Sequence, residues 1–214
     1  MIKDERLVTY INSLDSGNTK LLEEIEREAK DAYVPIIRKE MQQFLKWLLT
    51  LKKPERILEI GTAVGFSALF MAEYTPVPCE IDTIENYKKR IPIALGNFKR
   101  AGRDEITLIE GDAKDILPTL KTNYDLIFMD GAKGQYISFL PEAVRLLNPG
   151  GVLISDNVLQ EGDIIESRFA VTRRNRTIHK RMRDYLYTLT HHQELVTAVL
   201  SVGDGISVST KKGS

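Results

Sequence analysis

The sequence predicts one α/β domain: a seven-stranded, mostly parallel sheet with an antiparallel C-terminal strand, helices on both faces and a helical cap at the N-terminus. Three observations carry this. Apolar strand-like runs alternate with helical stretches from Arg56 to Asp156, the pattern of parallel strands joined by helices. A glycine-bearing turn links the first run to its helix. The last two runs flank Gly203-Asp204-Gly205, which reads as a hairpin. With 214 residues and 43% hydrophobic content, a single packed unit over 1–214 is expected, with 1–53 as the cap and 54–214 as the core.

In chain order, Leu22, Ile25, Ala29 and Ala32 recur at helical spacing until Val34-Pro35. Proline disfavours helix in the residue before it, so the pattern breaks there. A second amphipathic stretch carries Ile37, Met41, Phe44, Leu45 and Leu48 on one face. These faces suit either packing on the domain or a dimer contact. The first strand holds Ile57, Leu58 and Ile60; others follow at 80–85, 106–109, 124–130 and 152–156. Helices are expected over 87–100 and 136–147, with Pro92 near a first turn or at a kink. Asn148-Pro-Gly-Gly151 reads as a turn, and 195–202 with 206–210 as the hairpin strands.

The stretch from Arg56 to Ser67 bears on the ligand. A dinucleotide site wants G-x-G-x-x-G, whereas here Glu59 precedes Gly61 and Gly65. A carboxylate facing a pyrophosphate a few Å away costs on the order of 4 kcal/mol at an effective dielectric near 20. S-adenosylmethionine carries an ammonium and a sulfonium, so its preference is the reverse, and the charge logic selects it. A glycine turn in an ordinary α/β domain is the plainer alternative.

Ligands of open α/β sheets bind beyond the carboxyl ends of the strands, and several strands here end in acids. Glu85 stands where an acid would hold ribose hydroxyls. Asp112, in Gly111-Asp112-Ala113, could accept from an adenine amino group or simply cap a helix. Asp130, Asp156 and Asn157 offer three oxygen donors suited to magnesium or calcium, although Asp156-Asn157 could equally form an Asx turn. Lys133 follows closely. Beside a divalent cation its ammonium would be disfavoured, which suits a general base; a solvated lysine is the alternative. His179, His191 and His192 lack zinc spacing and are expected at the surface.

Formal net charge is zero, so any nucleic-acid partner must be met by a local patch. The single cysteine, Cys79, excludes an internal disulfide framework and fits a reducing compartment. No signal peptide or membrane span is read from the apolar runs, and a cytoplasmic protein without a membrane partner is expected.

These residues together resemble the cation-dependent class I O-methyltransferases, the group that holds catechol and caffeoyl-CoA O-methyltransferases. The match runs from Val34-Pro-Ile-Ile37 to the Gly203-Asp-Gly205 hairpin. The resemblance implies a Rossmann-like methyltransferase fold and a homodimer. It implies that Glu59, Gly61, Ser67, Glu85, Ala113 and Asp130 line the cofactor, that Asp130, Asp156 and Asn157 hold magnesium, and that Lys133 is the base. Plant-type members carry a second aspartate where this chain has Ala132, which argues against a phenylpropanoid substrate. The run Asp130 to Tyr136 is similar instead to the bacterial tRNA 5-hydroxyuridine methyltransferases, which make 5-methoxyuridine at the wobble position.

Arg168, Arg173, Arg174, Arg176, Lys180, Arg181 and Arg183 form a basic cluster with no acid before Asp184. A helix starting near Thr172 would set arginines against the positive end of its dipole, at about 0.3–1 kcal/mol each. RNA phosphate is a natural anionic partner, and a solvated basic face is the alternative. The expectation is a magnesium-assisted, S-adenosylmethionine-dependent O-methyltransferase acting on the tRNA wobble uridine. A small substrate with two vicinal oxygens is the alternative, and a non-catalytic RNA-binding protein on the same fold a further one.

Overall fold

The computed structural model describes residues 5–167 and 169–213. The cap consists of α1 (Glu5–Ser13), α2 (Lys20–Asp31) and α3 (Lys39–Lys52). α2 turns Leu22, Ile25 and Ala29 inward, and the chain breaks at Val34-Pro35 as the sequence predicts. α1 buries none of its residues and lies within the N-terminal stretch expected to be helical.

The core runs β1 (Arg56–Ile60), α4 (Phe66–Tyr74), β2 (Glu80–Glu85), α5 (Ile91–Ala101), β3 (Ile106–Glu110), α6 (Ala113–Ile116), β4 (Tyr124–Met129), α7 (Tyr136–Leu146), β5 (Leu147–Ser155), α8 (Arg176–Thr190), β6 (Leu195–Leu200) and β7 (Ile206–Lys211). The sheet has seven strands in the order β3-β2-β1-β4-β5-β7-β6. The first five are parallel; β7 runs antiparallel to both β5 and β6. Alternate strand residues feed two cores, as the period of two requires. Leu126, Phe128, Val152 and Ile154 meet α2 to α5 on one face. Ile127, Met129 and Leu153 meet α7 and α8 on the other.

Three boundaries differ from the sequence reading. Pairing of Leu147 with Tyr124 starts β5 before the Asn148-Pro-Gly-Gly segment, which the ladder absorbs as an irregularity rather than a free turn. α5 begins at Ile91 because Tyr87 to Arg90 close a turn first (Arg90 N to Tyr87 O, 2.8 Å), and Pro92 falls in its first turn. α8 begins at Arg176, not near Thr172, because a turn closed by Asn175 N on Thr172 O (2.8 Å) precedes it. Arg173 and Arg174 therefore sit before the helix, and Arg168 lies outside the described residues. No helix among the described residues is long and apolar enough to cross a membrane.

β1 neighbours β2 on one side and β4 on the other, so the strand order reverses at the C-terminal ends of β1 and β4. A crevice opens there, where such sheets bind ligands. Gly61 has φ +107°, and a Cβ on it would lie 2.9 Å from the Asp130 carbonyl oxygen, so only glycine lets the two strand ends meet.

Candidate active site

Two adjoining cavities occupy the crevice and share Gly61, Ala63, Arg90 and Asp130. One, about 300 Å³, is lined by Glu85, Gly111, Asp112 and Ala113 at the ends of β2 and β3. The other, about 280 Å³, is lined by Ser67, Lys133, Asp156, Asn157 and Asp204, with an apolar wall of Pro35, Ile36, Ile37 and Phe66. The helix break at Val34-Pro35 thus delivers part of the cap to the site. Ala63, Ala132 and Asn157 all have positive φ (49°, 52° and 57°), so left-handed backbone gathers around these cavities. Asparagine adopts that conformation readily; the two alanines hold it at a cost of order 1–3 kcal/mol each.

Glu59, expected to line the cofactor, is fully buried and lines neither cavity. The Thr83 hydroxyl donates to its Oε2, while Oε1 has no hydrogen-bond partner. Burial pushes its carboxyl up to about 7, against the Ser67 and Thr83 hydroxyls that favour the charge and with Glu85 adding repulsion. An orphaned buried oxygen is costly unless a ligand donor reaches it, and a cationic cofactor is the kind of group that fits. Glu85 is held by backbone: Oε2 accepts from Ala63 N at 2.8 Å and Oε1 from Asn86 N and Tyr87 N at 3.0 and 2.9 Å. Asp112 caps α6, its Oδ1 accepting from Lys114 N at 2.9 Å, and also lines the β2–β3 cavity. Gly65 lines neither cavity; a Cβ there would strike the Phe98 ring at 2.5 Å, so packing explains it.

Asp130 and Asp156 follow the paired residues Met129 and Ser155 at the ends of β4 and β5. Two bonds fix these ends together. Asp156 N donates to Met129 O at 2.9 Å, and the buried Tyr136 hydroxyl is shared between Met129 O (2.9 Å) and Asp156 O (3.2 Å). Burial, then the charge of Asp156, holds the Asp130 carboxyl well above the usual range, while Lys133 pulls it back. Burial pushes Asp156 up to about 6 against the Asn157 N–H and the Lys133 ammonium. Lys133 opens a 3₁₀ turn over Lys133–Gln135, half-buried, with its charge felt by both acids. Asp156 Oδ1 accepts from Asn157 N at 2.6 Å, and Asn157 Nδ2 donates to Asp204 Oδ2 at 3.2 Å. Among the described residues no three His, Cys, Asp or Glu side chains form a ready cage. A hard cation here would take two carboxylates and an amide oxygen and keep open positions, which is how magnesium is commonly held.

The family model described as O-methyltransferase matches residues 12–212. The chain belongs to the O-methyltransferase family. This O-methyltransferase is 32% identical over 164 residues to a catechol O-methyltransferase of Niastella koreensis, covering 73% of this chain and 74% of that one. It is 29% identical over 177 residues to a caffeoyl-CoA O-methyltransferase of Medicago sativa, covering 78% and 70%. An SAH-bound methyltransferase from Podospora anserina superposes with a TM-score of 0.87 at 27% identity, covering 98% and 95%. SAH, the demethylated form of S-adenosylmethionine, is bound in that Podospora structure.

Sequence reasoning missed Arg38, Arg90 and Asp204, all of which line the site. It also misplaced His179, which is only 2% exposed. His179, Met182, Tyr185 and Leu189 are the buried residues of α8. That helical spacing was readable; the histidine's polarity masked it. Arg173, Arg174 and Lys180 are exposed and Arg176 half-buried, none in an ion pair among the described residues. Arg181, on the same helix, donates from Nη1 to Gly134 O at 3.1 Å, tying this patch to the Lys133 turn. A larger hollow of about 600 Å³ around Cys79, where β2 begins, holds ion-paired arginines and a thiol that burial pushes up to about 12, which disfavours the thiolate.

The buried acids set a pH dependence. Glu59 and Asp156 bind protons in the fold at pH values where the unfolded chain, with carboxylates near pH 4, has released them. Their contribution to stability is therefore full below about pH 4 and lost as pH rises through about 6 and about 7. Lys133, Arg38, Asp130, Asp204 and Glu85 face them throughout. Glu59 alone accounts for about 3 kcal/mol, at about 1.4 kcal/mol per tenfold change in acidity. Scanning calorimetry in EDTA is expected to show Tm lower at pH 8 than at pH 5.5 by about 5–10 °C. An equal or higher Tm at pH 8 would refute the assignment.

Proposed function

We propose that this enzyme methylates one hydroxyl of a small catechol-type substrate carrying two adjacent oxygens, with magnesium held by Asp130, Asp156 and Asn157 and Lys133 as the base. The observation that carries this is the pair of acids at neighbouring strand ends, which share one cavity of about 280 Å³ with Lys133 and with an apolar wall suited to a ring. S-adenosylmethionine supplies an electrophilic methyl carbon, and a magnesium ion chelating both substrate oxygens would acidify the hydroxyl. The residues do the rest. Gly61, Glu85, Ala113 and Asp130 border the space for the cofactor, with Asp112 at its adenine end, Ser67 in the adjoining cavity and Glu59 buried behind, lining neither. Gly61 allows the β1 and β4 ends to approach, so the two cavities join at Asp130, where a bound methyl donor and its acceptor would meet. Pro35, Ile36, Ile37 and Phe66 exclude water and press on a ring face. Lys133 reaches into the same cavity to take the hydroxyl proton.

A second reading has one observation of its own. The basic patch of Arg173, Arg174, Arg176 and Lys180, in no ion pair among the described residues and joined to the Lys133 turn by Arg181, suits RNA phosphates, and 5-hydroxyuridine offers the same oxygen pair through its 5-hydroxyl and 4-carbonyl. A homodimer is proposed with either substrate; exposed Leu14, Trp47 and Leu51 give it an apolar face. The test is methyl transfer to catechol, caffeate and caffeoyl-CoA, beside tRNA bearing 5-hydroxyuridine, with and without EDTA. Fast turnover of the small diols with tRNA untouched supports the first reading. The reverse installs the second, and indifference to EDTA removes the metal from both.

A further inference from the structure

The β6–β7 turn brings a third acid to the site from far along the chain. Asp204 is 8% exposed and lines the cavity beside Asp156 and Asn157. Its backbone is pinned to the loop after β5: Val158 N donates to Gly205 O at 2.9 Å and Leu159 N to Asp204 O at 3.1 Å. A Cβ on Gly205 would meet Leu159 at 2.1 Å, so the turn can sit this close only with glycine there. Asp204 Oδ2 then accepts from Asn157 Nδ2 at 3.2 Å and from Arg38 Nη2 at 2.8 Å, while Oδ1 is buried without a partner.

We propose that Asp204 is a positioning residue for the cation site: by engaging the nitrogen of the Asn157 amide, it turns that amide's oxygen toward the cleft. An asparagine amide has two ends of similar shape and opposite polarity, and only the oxygen ligates a hard cation. Asn157, at positive φ on a loop, has its amide rotamer fixed from outside, and Arg38 in turn anchors the aspartate. Partners of this kind set the affinity of a metal site without touching the metal.

The assignment rests on the cation reading above, and the experiment separates the two. Mn²⁺ binding to the full chain, without substrate, is titrated by the EPR signal of free Mn²⁺, and SAH-induced thermal shift reports folding and cofactor binding. Asp204→Ala is expected to weaken Mn²⁺ binding about 10–100-fold while SAH affinity stays within about threefold. Asp204→Asn keeps an acceptor for Asn157 Nδ2 and is expected to recover much of the loss. Mn²⁺ affinity of Asp204→Ala within twofold of the wild type overturns the assignment, as does Asp204→Asn failing as badly as alanine, which would show that charge alone matters. Wild-type protein that binds no Mn²⁺ overturns the cation reading and this assignment with it.

Discussion

Lys133→Ala is expected to lower kcat about 10²–10⁴-fold, the usual contribution of a positioned general base, while the affinity for SAH changes little. The lysine lines the cavity with Asp130 and Asp156 but contacts no part of the space bordered by Glu85 and Ala113. Its loss therefore acts on the chemical step rather than on cofactor binding. As a half-buried ammonium whose charge is felt by Asp130 and Asp156 it also balances charge. Two effects must then be told apart, and chemical rescue does so. A small primary amine in the buffer restores a base and is expected to recover part of kcat in Lys133→Ala, with the gain rising with the amine's free-base concentration. Were Lys133 merely a solvated or charge-balancing lysine, the alanine variant would stay within about twofold of the parent or ignore the amine. Lys133→Arg keeps the charge without an accessible free base, and is expected to fail as alanine does.

How far this site could be foreseen depended on whether its parts announce themselves locally. Glu85, Asp130 and Asp156 did, since each closes an apolar strand run, and topology puts parallel strand ends on one edge of the sheet. Gly61 did as well, through the turn it makes, although the reason only glycine serves there is the approach of Asp130 from another strand. Asp204 did not. Its hydrogen bond to Asn157 spans 47 residues, and in sequence it is one more polar residue between two glycines, where turn chemistry explains it fully. Arg38 was hidden in the same way by the helix break that carries it, and Arg90 by the turn that delays α5. His179 is a different failure: its spacing from Met182 marked a buried face, and weighing residue type above periodicity put it outside.

Asp130→Asn is expected to move stability and activity in opposite directions. The carboxyl is held well above the usual range first by desolvation and then by the charge of Asp156. At pH 8 the cation-free protein must carry that charge or hold a proton against the pH, and either costs free energy. The amide keeps the size and removes the repulsion, so a gain of about 1–3 kcal/mol is expected, which for a chain of this length raises Tm by about 2–10 °C in EDTA. Methyl transfer should meanwhile fall at least 10²-fold, because a charged ligand worth several kcal/mol of transition-state stabilisation is gone. Adding Mg²⁺ should narrow the Tm gap, since the parent gains binding energy that the variant lacks. An acid kept for the fold behaves otherwise: its removal lowers Tm and leaves turnover near the parent's. Differential scanning calorimetry with and without Mg²⁺, beside one rate measurement, separates the two. Only a site held in tension for a ligand becomes more stable when its central charge is taken away.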